Sequence, residues 1–121
     1  MNYKQFEDLP VWQESRKLVN KTYKSTSKSP FQKDFGFKDQ LQRASLSIMN
    51  NIAEGFERDS NLEFVRFLYY SKGSAGEVRS MLYVALDLNY IDNDEFKDIY
   101  ELASSIIKQI ANFIKYLKSH K

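Results

Sequence analysis

The sequence has no cysteine, two prolines, four glycines and one histidine. Without thiols there is no disulfide framework and no thiolate metal site, and a reducing compartment is compatible. The lone His120 lies beside the end of the chain, so the Glu-x-x-His pairs that build di-metal sites in helical bundles cannot be assembled. So few strong breakers mean few turns and a few long elements. No apolar run approaches the length of a membrane span. The opening MNYKQFEDLP lacks the apolar stretch of a secretory signal. The expectation is a soluble, cytoplasmic protein with no membrane contact.

What is present fits one domain over residues 1–121. At this length a chain buries a real core, and 42% hydrophobic with 28% charged residues is ordinary globular composition. The formal net charge is only +2, but the charges are segregated. Between Glu14 and Lys28 stand Arg16, Lys17, Lys21, Lys24 and Lys28 with one acid. Asp87, Asp92, Asp94, Glu95, Asp98 and Glu101 follow later with one base, Lys97. The tail carries Lys108, Lys115, Lys118 and Lys121 with no acid. A basic first element and tail can attract phosphate backbones; the bland reading is a solvated lysine face.

Hydrophobic spacing predicts four helices. In the first, LPVWQESRKLVNKTYKSTS, residues Val11, Trp12, Ser15, Leu18, Val19, Thr22 and Tyr23 share a face, and Pro10 suits the first turn. PFQKDFGF is a loop whose Phe31, Phe35 and Phe37 are expected to plug the end of the bundle. The second helix runs from about Lys38 to Arg58 with Leu41, Ala44, Ser45, Ile48, Ile52 and Gly55 on one face. Ser60 with Glu63 is a capping box for the third, Asn61 to about Leu88, whose stripe is Phe64, Leu68, Ser71, Ala75, Val78, Leu82 and Ala85. Gly73 and Gly76 interrupt it, at about 1 kcal/mol each against alanine, as if permitting close backbone approach or a bend. Asp92 with Glu95 is a second capping box. The fourth helix, Asn93 to about Lys118, repeats apolar residues at three and four from Phe96 to Leu117. Four amphipathic helices with short connections predict an all-α, antiparallel up-down four-helix bundle.

The stretch NIAEGFER, residues 51–58, gathers Asn51, Glu54, Glu57 and Arg58 around a glycine. On a helical wheel Arg43, Ser47, Asn50, Glu54 and Arg58 form a polar stripe on the second helix, with Asn51 at its border. Glu63, Arg66, Tyr70, Ser74 and Glu77 form one on the third. In an antiparallel hairpin facing positions have a constant index sum. That pairs Arg58 with Glu63, Glu54 with Arg66, Asn50 with Tyr70, Ser47 with Ser74 and Arg43 with Glu77. The expectation is a polar ladder that fixes helix register. Glu54–Arg58 and Glu63–Arg66 also fit ion pairs within a helix, a better account of those carboxylates than acid–base work. Asn51 fits either a core hydrogen bond or a subunit contact. Gly73-Ser74-Ala75-Gly76 lies inside a helical pattern, and no P-loop, GxSxG or GxGxxG stands in its required context. The expectation is a chain without catalysis, cofactor or metal.

These residues resemble a family. Leu9, Val11 and Trp12; Gln40, Leu41, Arg43, Ala44, Ser47 and Ile48; Asn51 to Gly55; Arg58, Phe67, Leu68, Gly73, Ser74 and Glu77 match the pattern of bacterial four-helix bundle proteins encoded in intervening sequences of 23S ribosomal RNA genes. Gln42 departs from a common arginine, Ser71 from alanine and Val78 from leucine. The resemblance covers nearly the whole chain and is most specific in the middle. It implies an all-α homo-oligomer, a pentameric ring in relatives. The fold is also similar to the accessory variability protein of diversity-generating retroelements, a basic pentamer that binds nucleic acid. Two functions are therefore carried forward. One is an oligomer that holds RNA or DNA backbones through Arg16, Lys17, Lys21, Lys24 and Lys28, with Lys115 and Lys118. The other is an oligomeric adaptor for a protein partner, using exposed tyrosines among Tyr69, Tyr70, Tyr83, Tyr90 and Tyr100.

Overall fold

Pro10 occupies the first position of helix α1 (Pro10–Thr26), where a missing N–H costs nothing, and Leu9 before it is extended and fully buried. The computed structural model describes residues 2–120. Helices α2 (Phe35–Phe56), α3 (Asn61–Asp87) and α4 (Asn93–Ser119) follow, with short 3₁₀ turns at Phe6–Asp8 and Phe31–Lys33 and no strand among the described residues.

Each helix packs on its sequence neighbours, and α4 closes the ring on α1. Directions follow from pairs of side chains. Ser74 meets Ser47 and Ser71 meets Ile48, so α3 runs against α2. Phe113 packs on Phe64 and Tyr100 on Tyr83, so α4 runs against α3. Lys21 reaches Asp98 and Lys28 reaches Glu95, so α1 runs against α4. Four helices alternating in direction around one core are an up-down bundle. The core is aliphatic in α4, where Ile99, Ala103, Ile106, Ile110, Ile114 and Leu117 are buried at helical spacing.

The α1 face is more polar. Ser15, Thr22 and Thr26 are buried, yet each hydroxyl donates to the carbonyl four residues back at 2.7–2.9 Å. That back-bonding satisfies groups whose burial would otherwise be costly. Gln42 then donates to the Thr26 hydroxyl at 2.9 Å and ties α2 to α1. Tyr23, read as part of this face, is exposed.

Both capping boxes form by half. Ser60 accepts from the Glu63 amide at 3.2 Å and Asp92 from the Glu95 amide at 2.8 Å. The two glutamates do not return to the caps. Glu63 pairs with Arg66, and Glu95 takes Ser25 of α1 and Lys28 just beyond it. At the other end of α3, Asn89 adopts a left-handed conformation, and the Tyr90 and Asn89 amides bond to Ala85 and Leu86. This is a Schellman close with asparagine in the usual glycine place.

The bundle end beneath α1 and α3 differs from expectation in one residue. Phe31 is fully buried and stacks on Phe37 and Tyr90, with ring centres 5.5 and 4.9 Å apart. Phe35 is 71% exposed. The reason is that α2 starts at Phe35, three residues early, with Asp34 capping the Phe37 amide. Two residues apart on a helix point to nearly opposite sides, so Phe35 and Phe37 cannot both face inward. Tyr90 closes the corner by donating to Asp34 at 2.8 Å. That bond, and then desolvation, raise the Tyr90 phenol above its ordinary value. A raised folded pKa stabilises while the phenol is neutral, fully below about pH 10. The contribution is lost as pH rises through the folded pKa. Tyr90→Phe should therefore be less stable near neutrality and lose less stability on alkaline titration than the parent. Parallel stability–pH curves for the two would contradict the assignment.

Candidate nucleic-acid interface

The basic residues of α1 do not form one open surface. Lys17 pairs with Glu14 in its own helix at 2.8 Å. Lys21 pairs with Asp98 at 2.8 Å and Lys28 with Glu95 at 3.3 Å, both on α4. Charge segregation in the sequence is thus largely a clasp. The acidic start of α4 lies against the basic end of α1 because the two helices run in opposite directions. Exposed pairs of this kind contribute little stability, about 0–1 kcal/mol each. They do neutralise the lysines as seen by an approaching polyanion.

Among the described residues, Arg16, Lys24, Lys115 and Lys118 have no carboxylate partner. Arg16 lies 5.9 Å from the Trp12 ring centre. Lys118 donates to the Tyr69 hydroxyl at 3.0 Å and sits 5.3 Å from that ring's centre. The ammonium lowers the Tyr69 phenol from its ordinary value, chiefly through that hydrogen bond. Lys118 and the Lys21–Asp98 pair are about 30 Å apart along α4. Lys115 and Lys118 therefore stand at one end of the bundle and Lys21, Lys24 and Lys28 towards the other, with Arg16 and Lys17 between them. The second half of α4, from Ile106 to Ser119, has Lys108, Lys115 and Lys118 as its only charges. It runs beside the first half of α1, whose charges are Arg16 and the Glu14–Lys17 pair. Lys108 joins this end although sequence reasoning did not single it out; the signal was the absence of acids around it.

The polar ladder between α2 and α3 keeps its register and changes its rungs. Ser74 donates to Ser47 at 2.9 Å, as the pairing requires. Glu54 and Arg58 pair within α2 at 3.0 Å, and Glu63 and Arg66 within α3 at 3.0 Å. Arg43 pairs with Asp39 of its own helix, and Glu77 meets Gln40. No ion pair joins α2 to α3 among the described residues. Asn50 and Tyr70 are both exposed. The charged positions lie at the solvent edge, where a partner three or four residues along the same helix is already within reach.

Uncharged contacts hold the register instead. Ser71, buried, donates across the seam to the Ile48 carbonyl at 2.7 Å. Asn51 donates to the carbonyl and hydroxyl of Ser47 at 2.8 and 3.0 Å, so it braces the serine that Ser74 meets. Gly55 is buried where a Cβ would come within 2.7 Å of Phe67 Cβ and 2.8 Å of Phe64 Cδ1. Arg58 and Arg66 cover the Phe67 ring at 4.6 and 5.4 Å from its centre. NIAEGFER is thus the close seam of the α2–α3 hairpin with two arginines laid over it.

Among the described residues, no three His, Asp or Glu side chains gather as a metal site would need. No helix is long and apolar enough to cross a membrane.

A solved structure is similar to this chain. It is a protein of unknown function from the S23 ribosomal protein family of Bacteroides thetaiotaomicron. The two are 25% identical with a TM-score of 0.80, over 87% of this chain and 98% of that one. No curated protein matches the chain significantly. The model of the 23S rRNA-intervening sequence proteins matches residues 7–112, across the seam, the caps and most of all four helices. The chain belongs to the 23S rRNA-intervening sequence protein family.

Proposed function

We propose that the chain is a non-catalytic, homo-oligomeric helical bundle that associates with nucleic acid through its phosphate backbone. The observation that carries this is the second half of α4, where Lys108, Lys115 and Lys118 stand with no acid from Ile106 to Ser119. The family is named for intervening sequences of 23S ribosomal RNA, and the similar structure is from a family named for a ribosomal protein. Binding would be by charge neutralisation without base readout, and oligomerisation would turn a weak patch into a useful one. Lys17, Lys21 and Lys28 contribute less, since carboxylates already hold them.

The test is titration of structured RNA and duplex DNA at several salt concentrations. Affinity should fall steeply with salt. Replacing Lys108, Lys115 and Lys118 by glutamine should make the log–log salt dependence on duplex DNA shallower, by about 0.9 for each phosphate that is no longer neutralised. Lys21→Gln with Lys28→Gln should change it less. No binding at low salt, or binding indifferent to salt, would remove this reading. That outcome would leave the oligomeric adaptor, which the exposed Tyr69, Tyr70 and Tyr83 favour.

A further inference from the structure

The amino-terminal segment lies against the acid-free half of α4 and leaves an open cleft there. Among the described residues, Asn2 and Tyr3 form one wall, and Phe113 and Tyr116 of α4 form the other. The cleft holds about 500 Å³, within the range of small-ligand sites, about 300–1,000 Å³. A smaller one of about 200 Å³ shares Tyr3 and Phe113 with it and reaches Pro10 and Gln109. Three of the four residues around the larger cleft are therefore aromatic. Tyr3 is 43% exposed and Tyr116 37%. His120 already lies on the Tyr116 ring, with centres 4.1 Å apart, and Phe64 holds Phe113 edge to face at 5.2 Å. No acid lines either cleft among the described residues.

Lysines stand beside these rings. Lys4 follows Tyr3, Lys115 precedes Tyr116, and Lys108 precedes Gln109. All three are exposed, and none has a carboxylate partner among the described residues. Lys108 and Lys115 are two turns, about 10 Å, apart along α4 and bracket Phe113. Glu7 and Asp8, exposed in the turn before Leu9, oppose a polyanion here; Glu14 is held by Lys17 at 2.8 Å. Aromatic rings among lysines suit a single strand, whose phosphates meet the ammonium groups while its bases stack on the rings. A duplex cannot use such a cleft, because its bases are paired and stacked on one another. We propose that the cleft takes an unpaired base of a single-stranded nucleic acid, between Tyr3 and the Phe113–Tyr116 wall. Lys4, Lys108 and Lys115 then neutralise the flanking phosphates. Every base has a flat face, so stacking adds affinity without reading sequence.

This inference rests on the nucleic-acid reading and adds which form of nucleic acid the site takes. The test compares oligo-dT and oligo-U of about twelve nucleotides with duplex DNA of the same length. Backbone contacts alone favour the duplex, which carries the denser charge. Stacking should reverse that order: at least one single strand should bind several-fold more tightly than the duplex at the same salt, and the tighter of the two names the strand. Tyr3→Leu and Tyr116→Leu should each weaken single-strand binding about tenfold. Neither should change duplex affinity or the salt dependence, because no phosphate contact is lost. Tyr3→Phe and Tyr116→Phe should bind as the parent does, since the ring is kept. Tyr70→Leu, at the exposed edge between α2 and α3, should also bind as the parent does. Tyr3 and Tyr116 are both exposed, so the variants should melt with the parent. A duplex bound as tightly as either single strand, or leucine variants that hold single strands as the parent does, overturns the stacking cleft and leaves the backbone reading standing. Binding of neither strand form at low salt removes both.

Discussion

Gly55→Ala should lower the stability of the folded chain by about 1–3 kcal/mol, although alanine is the better helix former. A Cβ there would lie 2.7 Å from Phe67 Cβ. That atom is fixed to the α3 backbone, so the clash cannot be relieved by turning a ring; the helices must part. Parting them strains the Ser71–Ile48 bond and the Ser47–Ser74 bond, which lie one and two turns further along the seam. It also lifts Phe64 and Phe67 from the close fit that buries them. Gly55→Val should cost more, since its branched side chain leaves few rotamers in a helix. The measurement is a urea melt: the midpoint should fall with an unchanged slope. Gly73→Ala is the control. With open space at its Cβ it should hold or gain up to about 1 kcal/mol. A neutral Gly55→Ala beside a destabilised Gly73→Ala would invert the seam described here.

The same pair of glycines marks how far sequence could be read. Periodicity placed Gly55 on the core face and Gly73 and Gly76 in a helix interior, and all three placements hold. It could not tell which glycine meets a neighbour. That depends on where Phe64 and Phe67 arrive from the facing helix, a tertiary fact with no local signature. Gly73 and Gly76 were read as permitting close approach or a bend, and within one copy the close approach occurs at Gly55. Helix register was legible because the hairpin is short and Ser60 fixes where α3 begins. Its chemistry was not. Any arginine in the stripe has a carboxylate three or four residues away as well as one across the seam, and the solvent edge favours the nearer.

The candidate interface shows the same limit. Charge runs along the chain were visible, but their meaning depends on which run faces which. The α1 lysines looked like an open basic face until α4 was seen to run against them, bringing Asp98 and Glu95 into contact with Lys21 and Lys28. What survives as unpaired positive charge is set by the absence of acids within α4 from Ile106 to Ser119 more than by the density of lysines in α1. An electrostatic site in a helical bundle is therefore better sought along a helix segment that lacks acids than along one whose bases a neighbouring helix's acids can reach.

Phe31→Ala should cost about 3–5 kcal/mol, the range for removing a buried aromatic side chain. Phe31 sits in a connector, where truncation is commonly tolerated, yet it has no solvent exposure. Its ring fills the space between Phe37 at the start of α2 and Tyr90 in the turn after α3. Those neighbours are anchored, Tyr90 by its bond to Asp34 and Phe37 by the Asp34 cap, so they cannot collapse into the cavity. A cavity that cannot collapse gives the upper part of the range. Phe35→Ala, four residues on and exposed, should stay within about 0.5 kcal/mol of the parent. A domain of this size is stable by about 5–15 kcal/mol in total, so Phe31→Ala should melt well below the parent in a thermal scan while Phe35→Ala overlays it. Equal melting of the two variants would mean that the connector does not seal the bundle, and that the core ends at Leu41 and Leu18 instead.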